Sequence, residues 1–101
     1  MDPADERSLL TAAVAGDEKA FGRLALGHLP GLERFCHLML GCPHEGHDAV
    51  GETLVRAWRE LRLGPPSASA RTWLYRLATD VCLEELNSTG ERRDDTHTGP
   101  L

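Results

Sequence analysis

No apolar run in the sequence approaches the ~18 residues of a membrane span, so no spanning helix is expected. A surplus of basic residues is missing as well: 11 Lys and Arg stand against 16 Asp and Glu, a formal net charge of −5. That argues against a free-standing, non-specific nucleic-acid binder, which needs cations to displace the counterions of phosphate. It leaves open DNA contact inside a larger complex whose partner supplies the positive charge. Cysteines are few, odd in number and scattered (Cys36, Cys42, Cys82), which fits reduced thiols better than a disulfide framework. The opening stretch Met1-Asp2-Pro3-Ala4-Asp5-Glu6 is acidic and lacks the basic-then-apolar order of a secretory leader. A cytoplasmic protein is expected. No strand-type alternation and no internal repeat occur. The glycines are dispersed at helix ends, no phosphate-binding loop is present, and no nucleophile–base set stands out. Neither catalysis nor a cofactor is expected.

What is present is helical. At 101 residues the chain supports one domain, able to bury roughly 60% of its unfolded surface. Its 41% apolar and 27% charged residues are ordinary for a globular protein. Asp2-Pro3 reads as a helix start, with Leu9, Leu10, Ala13 and Val14 as a short apolar stripe. Gly16-Asp17 closes that helix and caps the next. The second segment carries Phe21, Leu24, Ala25 and Leu29, then meets Pro30-Gly31. Leu32, Phe35, Leu38 and Met39 continue a helical face to Gly41, as one kinked helix or two. After the Cys42-Pro43 turn, a third helix is expected from about Glu45 to Arg62. Its positions Val50, Leu54, Ala57, Trp58 and Leu61 fall on one face. Gly64-Pro65-Pro66-Ser67 is a loop. Ser67 or Ser69 caps a fourth helix with Trp73, Leu74, Leu77, Ala78, Val81 and Leu86 on its apolar side, ending at Asn87-Ser88-Thr89-Gly90. The expected architecture is all-α, a compact bundle of four to five helices over residues 1–90, with a disordered polar tail over 91–101.

Many functions share such a bundle, and specific residues go further. Ala15-Gly16-Asp17-Glu18-Lys19-Ala20-Phe21 resembles the opening of the extracytoplasmic-function class of sigma factors. His47-Asp48-Ala49-Val50-Gly51-Glu52-Thr53-Leu54-Val55-Arg56-Ala57-Trp58 is similar to that family's polymerase-binding helix, commonly D-A-V-Q-E-T-x-x-R-A-W. Arg71-Thr72-Trp73-Leu74-Tyr75-Arg76-Leu77-Ala78-Thr79 resembles its promoter-recognition helix, commonly R-T-W-L-Y-R-I-A-T-N. The three motifs occur in the family's order and spacing over about residues 9 to 86.

The resemblance implies region 2 of a sigma factor. Such a module docks on a coiled coil in the largest subunit of core RNA polymerase and grips the non-template strand of the minus-ten promoter element. By that correspondence the polymerase-docking residues are Asp48, Gly51, Glu52, Val55, Arg56 and Arg59. The DNA-binding residues are Ala70, Arg71, Tyr75, Arg76, Thr79 and Asp80, with Tyr75 offering a ring for a base to stack on. An anti-sigma factor is a further implied partner; a membrane is not. Taken alone, the charges of the third helix describe a solvated face, and Trp73 reads as core.

The sequence departs from the family pattern mainly in the DNA-reading half. Asp80 stands where Asn is usual and is acceptor-only and charged. Ala70 replaces a larger apolar residue that helps to form a pocket for a flipped base. From Ala70 to Gly90, Arg71 and Arg76 are outweighed by Asp80, Glu84 and Glu85, a net charge of −1. In the docking helix Gly51 replaces the usual Gln, at about 1 kcal/mol of helix propensity. Nothing resembles region 4, the helix-turn-helix domain of longer family members. The alternative is therefore a degenerate sigma-like interaction protein that binds polymerase or an anti-sigma factor without reading DNA. Cys36, His37, Cys42, His44 and His47 are chemically able to bind zinc, but not at the spacing of a structural zinc motif. Cys36 and His37 point about 100° apart on a helix, so no metal is expected.

Overall fold

The computed structural model describes the backbone of residues 3–98 and the side chains of residues 4–88. Four helices follow one another: α1 (Pro3–Val14), α2 (Glu18–Leu40), α3 (Pro43–Leu61) and α4 (Ala70–Thr98). No strand occurs among the described residues. The expected Asp2 cap lies outside them, as do residues 99–101 of the expected tail. For 91–98 only the backbone is described, and it is helical: α4 passes through Gly90 instead of stopping there. A glycine inside a helix costs about 1 kcal/mol relative to alanine but does not forbid the conformation.

The caps set the turns. Gly16 takes φ 103°, a value open to glycine, and lets the chain reverse into α2. Asp17 then accepts hydrogen bonds from the N–H groups of Lys19 and Ala20 at 3.0 and 3.1 Å, satisfying two of the orphan donors at the helix start. At the other end Gly41 adopts φ 72°, and its N–H donates to His37 O at 2.8 Å. Pro43 begins α3 at the position where a missing N–H costs nothing. Ser69, rather than Ser67, caps α4: its hydroxyl oxygen accepts from Thr72 N–H at 3.2 Å. Between Glu18 and Leu40 the helix runs on without interruption, so the Pro30 segment is one helix. Pro30 and Leu26, whose carbonyl loses its donor, both face solvent, so the missing bond leaves no buried carbonyl.

Helix α2 packs against each of the other three, most extensively against α3. Leu24 and Leu32 of α2, Leu61 of α3 and Leu74 of α4 are fully buried. Each contributes about 1.5–3 kcal/mol relative to an exposed side chain. The α2–α3 crossing is tight because Gly46 brings α3 against the backbone of His37 and Cys36. Trp73 is 5% exposed, in the core as expected, and its Nε1–H donates to Glu60 Oε1 at 3.4 Å. Thr53 is fully buried in α3, and its hydroxyl is satisfied by donating to Ala49 O at 2.7 Å. Cys36 and Cys82 are buried where α2 meets α4.

Two residues depart from the expected core. Leu38 is 72% exposed, because the buried stripe of α2 runs through Leu32 and Cys36, on another side of the helix. Leu86 is 40% exposed, since burial on α4 stops at Cys82, one turn earlier.

Candidate interaction faces on α3 and α4

Helix α3 is divided lengthwise. Gly46, Ala49, Val50, Thr53, Ala57 and Leu61 are buried. Asp48, Gly51, Glu52, Val55 and Arg59 are exposed. Asp48, Glu52, Val55 and Arg59 follow at spacings of four, three and four residues, which puts them on one strip of the helix. The residues expected to dock polymerase thus share a solvent-facing surface with an apolar centre, Val55, between acidic and basic ends. Asp48 also lies 3.6 Å from His44, a surface pair that is ionic only when the imidazole is protonated.

Arg56 behaves differently from its neighbours. Its Nε donates to Glu52 Oε1 at 3.2 Å, while Nη1 and Nη2 donate to the two carboxylate oxygens of Glu84 at 2.6 and 2.9 Å. The guanidinium therefore bridges α3 to α4 instead of reaching outward. Its hydrogen bonds to Glu84, then to Glu52, raise the Arg56 pKa, and the same contact holds the Glu84 carboxyl below its ordinary range. Nothing local in the sequence signals a pairing across 28 residues.

On α4 the expected DNA-contacting residues fall into two groups. Arg71, Tyr75 and Thr79 succeed one another at intervals of four and form one ridge. The Arg71 guanidinium carbon lies 5.7 Å from the centre of the Tyr75 ring, within cation–π range. That ring meets Phe35 edge-on, with centroids 5.3 Å apart and planes at 73°. The Tyr75 hydroxyl sits over Gly31, in space that a Cβ would fill. Thr79 donates its hydroxyl to Tyr75 O at 2.8 Å. Tyr75 is thus half-buried and braced from α2. Arg76 and Asp80 are exposed beside this ridge.

Ala70 is buried, and its place is the wall of a groove. The groove, about 690 Å³ in volume, runs between α1 (Leu10, Val14) and the loop before α4 (Pro65, Pro66, Ala68). A smaller recess of about 240 Å³ on the other side of that loop is bordered by Glu60, Trp73 and Arg76. The small side chain at 70 leaves the groove open. Residues 65–68 and Glu60 carry no binding signal in the sequence, since a Pro-Pro loop reads only as a turn.

Arg76, Asp80 and Glu84 follow one another at intervals of four, so acidic side chains continue the strip that Arg76 begins. Glu84 and Glu85 line a groove between α3 and α4 with Glu45, Asp48, Glu52 and Arg56. Among the described residues no group of three or more His, Cys, Asp or Glu side chains is placed to hold a metal ion. Burial, reinforced by the neighbouring Cys82, pushes the Cys36 thiol up to about 12. No described helix is long and apolar enough to cross a membrane.

The family model described as Sigma-70 region 2 matches residues 24–92. The chain is 37% identical over 98 residues to the ECF RNA polymerase sigma factor SigG of Mycobacterium tuberculosis, covering 97% of this chain and 23% of that protein. It is 30% identical over 71 residues to the ECF RNA polymerase sigma factor SigW of Bacillus subtilis, covering 70% and 38%. With the RNA polymerase sigma factor CnrH of Cupriavidus metallidurans it shares 34% identity over 79 residues, covering 76% and 41%. The chain spans between about a quarter and two-fifths of the length of these relatives. No solved structure gives a significant match.

Proposed function

Because the chain belongs to the sigma-70 region 2 family, we propose that it is a transcription-initiation module that docks on core RNA polymerase through α3 and engages minus-ten promoter DNA through α4. The observation that carries this reading is the lengthwise division of α3. Asp48, Gly51, Glu52, Val55 and Arg59 are all exposed, while the residues interleaved with them form the core. Docking therefore needs no rearrangement of the bundle. The partner surface that fits is a helical one, with an apolar contact for Val55 and charges complementary to Glu52 and Arg59. In the family, that partner is the coiled coil of the largest polymerase subunit.

For DNA, support comes from the Arg71–Tyr75–Thr79 ridge. Tyr75 is held by Phe35 and Gly31, so stacking a base on it costs little side-chain ordering. Arg71 and Arg76 are placed to meet backbone phosphates. The reading without DNA recognition rested on Asp80 and Ala70 as well as on the net charge of −1 along Ala70–Gly90. The charge count weakens in three dimensions: the bonds to Arg56 offset part of the Glu84 charge, and Glu84 and Glu85 line the groove towards α3. Arg76 still has Asp80 four residues along its own helix and Glu60 across the recess beside it. Fluorescence anisotropy with core polymerase, followed by single-stranded minus-ten DNA added to the complex, tests both halves. Saturable binding of polymerase and a gain in DNA affinity over polymerase alone are expected. Polymerase binding without that gain would remove the DNA half, and no binding to either would remove the proposal.

A further inference from the structure

We propose that Glu84, which the family motifs do not mark but which borders the groove beside Asp48 and Glu52, is a positioning residue for the docking strip and acts on it through Arg56. The inference rests on the polymerase-docking reading and adds a control point to it. Arg56 lies within the docking helix and would, as a free cation, present its guanidinium to a partner. Instead, three of its five N–H donors are engaged internally: two parallel bonds to Glu84 at 2.6 and 2.9 Å and one from Nε to Glu52 Oε1 at 3.2 Å. The fork is planar and rigid, so fixing Nη1 and Nη2 on Glu84 also fixes the direction of Nε. Glu52 is thereby held from one oxygen only, in one orientation, with its second oxygen left to solvent and its side chain 48% exposed.

Charge follows the same geometry. With Glu84 in place, the trio Glu52, Arg56 and Glu84 carries a net charge of −1, and the strip facing a partner is acidic at Glu52. Without the Glu84 carboxylate the trio is neutral. The released guanidinium then turns both of its terminal nitrogens onto Glu52, four residues away on the same helix. Glu52 is masked, and the docking strip loses its acidic anchor. The clasp thus ties the face that holds polymerase to the helix that carries Tyr75, and sets the ionic character of the first from a residue of the second.

Glu84→Gln keeps the shape of the side chain and removes its charge. Its affinity for core polymerase is expected to fall by roughly three- to tenfold, the size of an interfacial charge perturbation. In an Arg56→Ala background the same Glu84→Gln change is expected to leave affinity unaltered. If Glu84 touched polymerase directly, its effect would persist there, and the proposal would be overturned. The exchange Arg56→Glu with Glu84→Arg restores a cross-helix ion pair without restoring the bond to Glu52. It is expected to recover thermal stability but not affinity, whereas recovery of both would reduce the clasp to a helix cross-link. A readout independent of polymerase is the Glu52 side-chain carboxyl resonance of the whole chain. Glu84→Gln is expected to shift it and to abolish any slowly exchanging Arg56 Nε–H signal. An unmoved Glu52 resonance would overturn the positioning role even if wild-type chain bound no polymerase, a result that would separately remove the docking reading.

Discussion

Gly46 of α3 lies so close to His37 of α2 that a Cβ at position 46 would fall 2.9 Å from both the His37 nitrogen and its Cα. Those are backbone atoms inside a helix, so they cannot swing aside as a side-chain end would. Gly46→Ala should therefore destabilise the chain by about 1–3 kcal/mol, the usual range for overpacking a tight contact. Gly51, on the solvent face of the same helix, has open space around it, and a Cβ there would meet nothing within 4 Å. Gly51→Ala should stabilise by about 0.5–1 kcal/mol through helix propensity. Opposite shifts in thermal midpoint are expected; a parallel shift would contradict the α2–α3 packing.

Gly31 makes room for the Tyr75 hydroxyl. Gly31→Ala should push that ring off its seat against Phe35 while leaving α3 untouched. Single-stranded minus-ten DNA should then bind the polymerase complex roughly tenfold more weakly, as when about 1–3 kcal/mol of stacking is lost. Polymerase affinity should be unchanged. An equal loss in both measurements would mean that the substitution disturbs the whole bundle.

Burial raises both the Cys36 and Cys82 thiols, Cys36 to about 12, while Cys42 sits half-exposed at the α2–α3 turn. Iodoacetamide at about pH 8 should therefore modify Cys42 alone in the native chain, because only a thiolate attacks. Since the folded value of Cys36 is raised, its neutral thiol contributes stability below the ordinary 9.0 that is lost as pH climbs towards 12. Mass spectrometry showing two or three adducts without unfolding would contradict the buried pair.

Arg56 holds the Glu84 carboxyl below its ordinary 4.5. A lowered folded value means that the clasp stabilises above 4.5 and that this contribution disappears as pH falls through the lowered value. The wild type and Glu84→Gln should differ in thermal midpoint by a constant amount over about pH 5 to 7 and converge in stronger acid, and the difference should shrink with salt. A difference that persists in acid would assign the effect to packing.

Apart from the expected stop of α4 at Gly90, which the helix passes through, the helix ends were legible in the sequence because their chemistry is local. Asp17 before α2, Gly41 after it and the serine before α4 act within three or four residues of themselves. The α3 core was legible for the same reason, as its apolar spacing fixes a face. Leu38 and Leu86 were misplaced because spacing gives the direction of a face but not its width, nor the turn at which neighbouring helices stop covering it. The Arg56–Glu84 clasp and the groove beside Ala70 join residues from different helices. Neither leaves a periodic mark on the chain. The family motifs pointed to the two proposed faces, and only the fold shows that Arg56, within one of them, is bonded to Glu84 of the other helix.

The central claim is that the exposed strip of α3 docks polymerase, and Glu52→Lys tests it most directly. The substitution leaves the buried side of α3 intact, so circular dichroism should be unchanged. The dissociation constant for core RNA polymerase, measured by anisotropy beside an equivalent Glu18→Lys control on α2, should rise at least tenfold for Glu52→Lys, about 1.4 kcal/mol, and stay near wild type for the control. Equal affinities for wild type and Glu52→Lys, with helicity preserved, would contradict the assignment of this face.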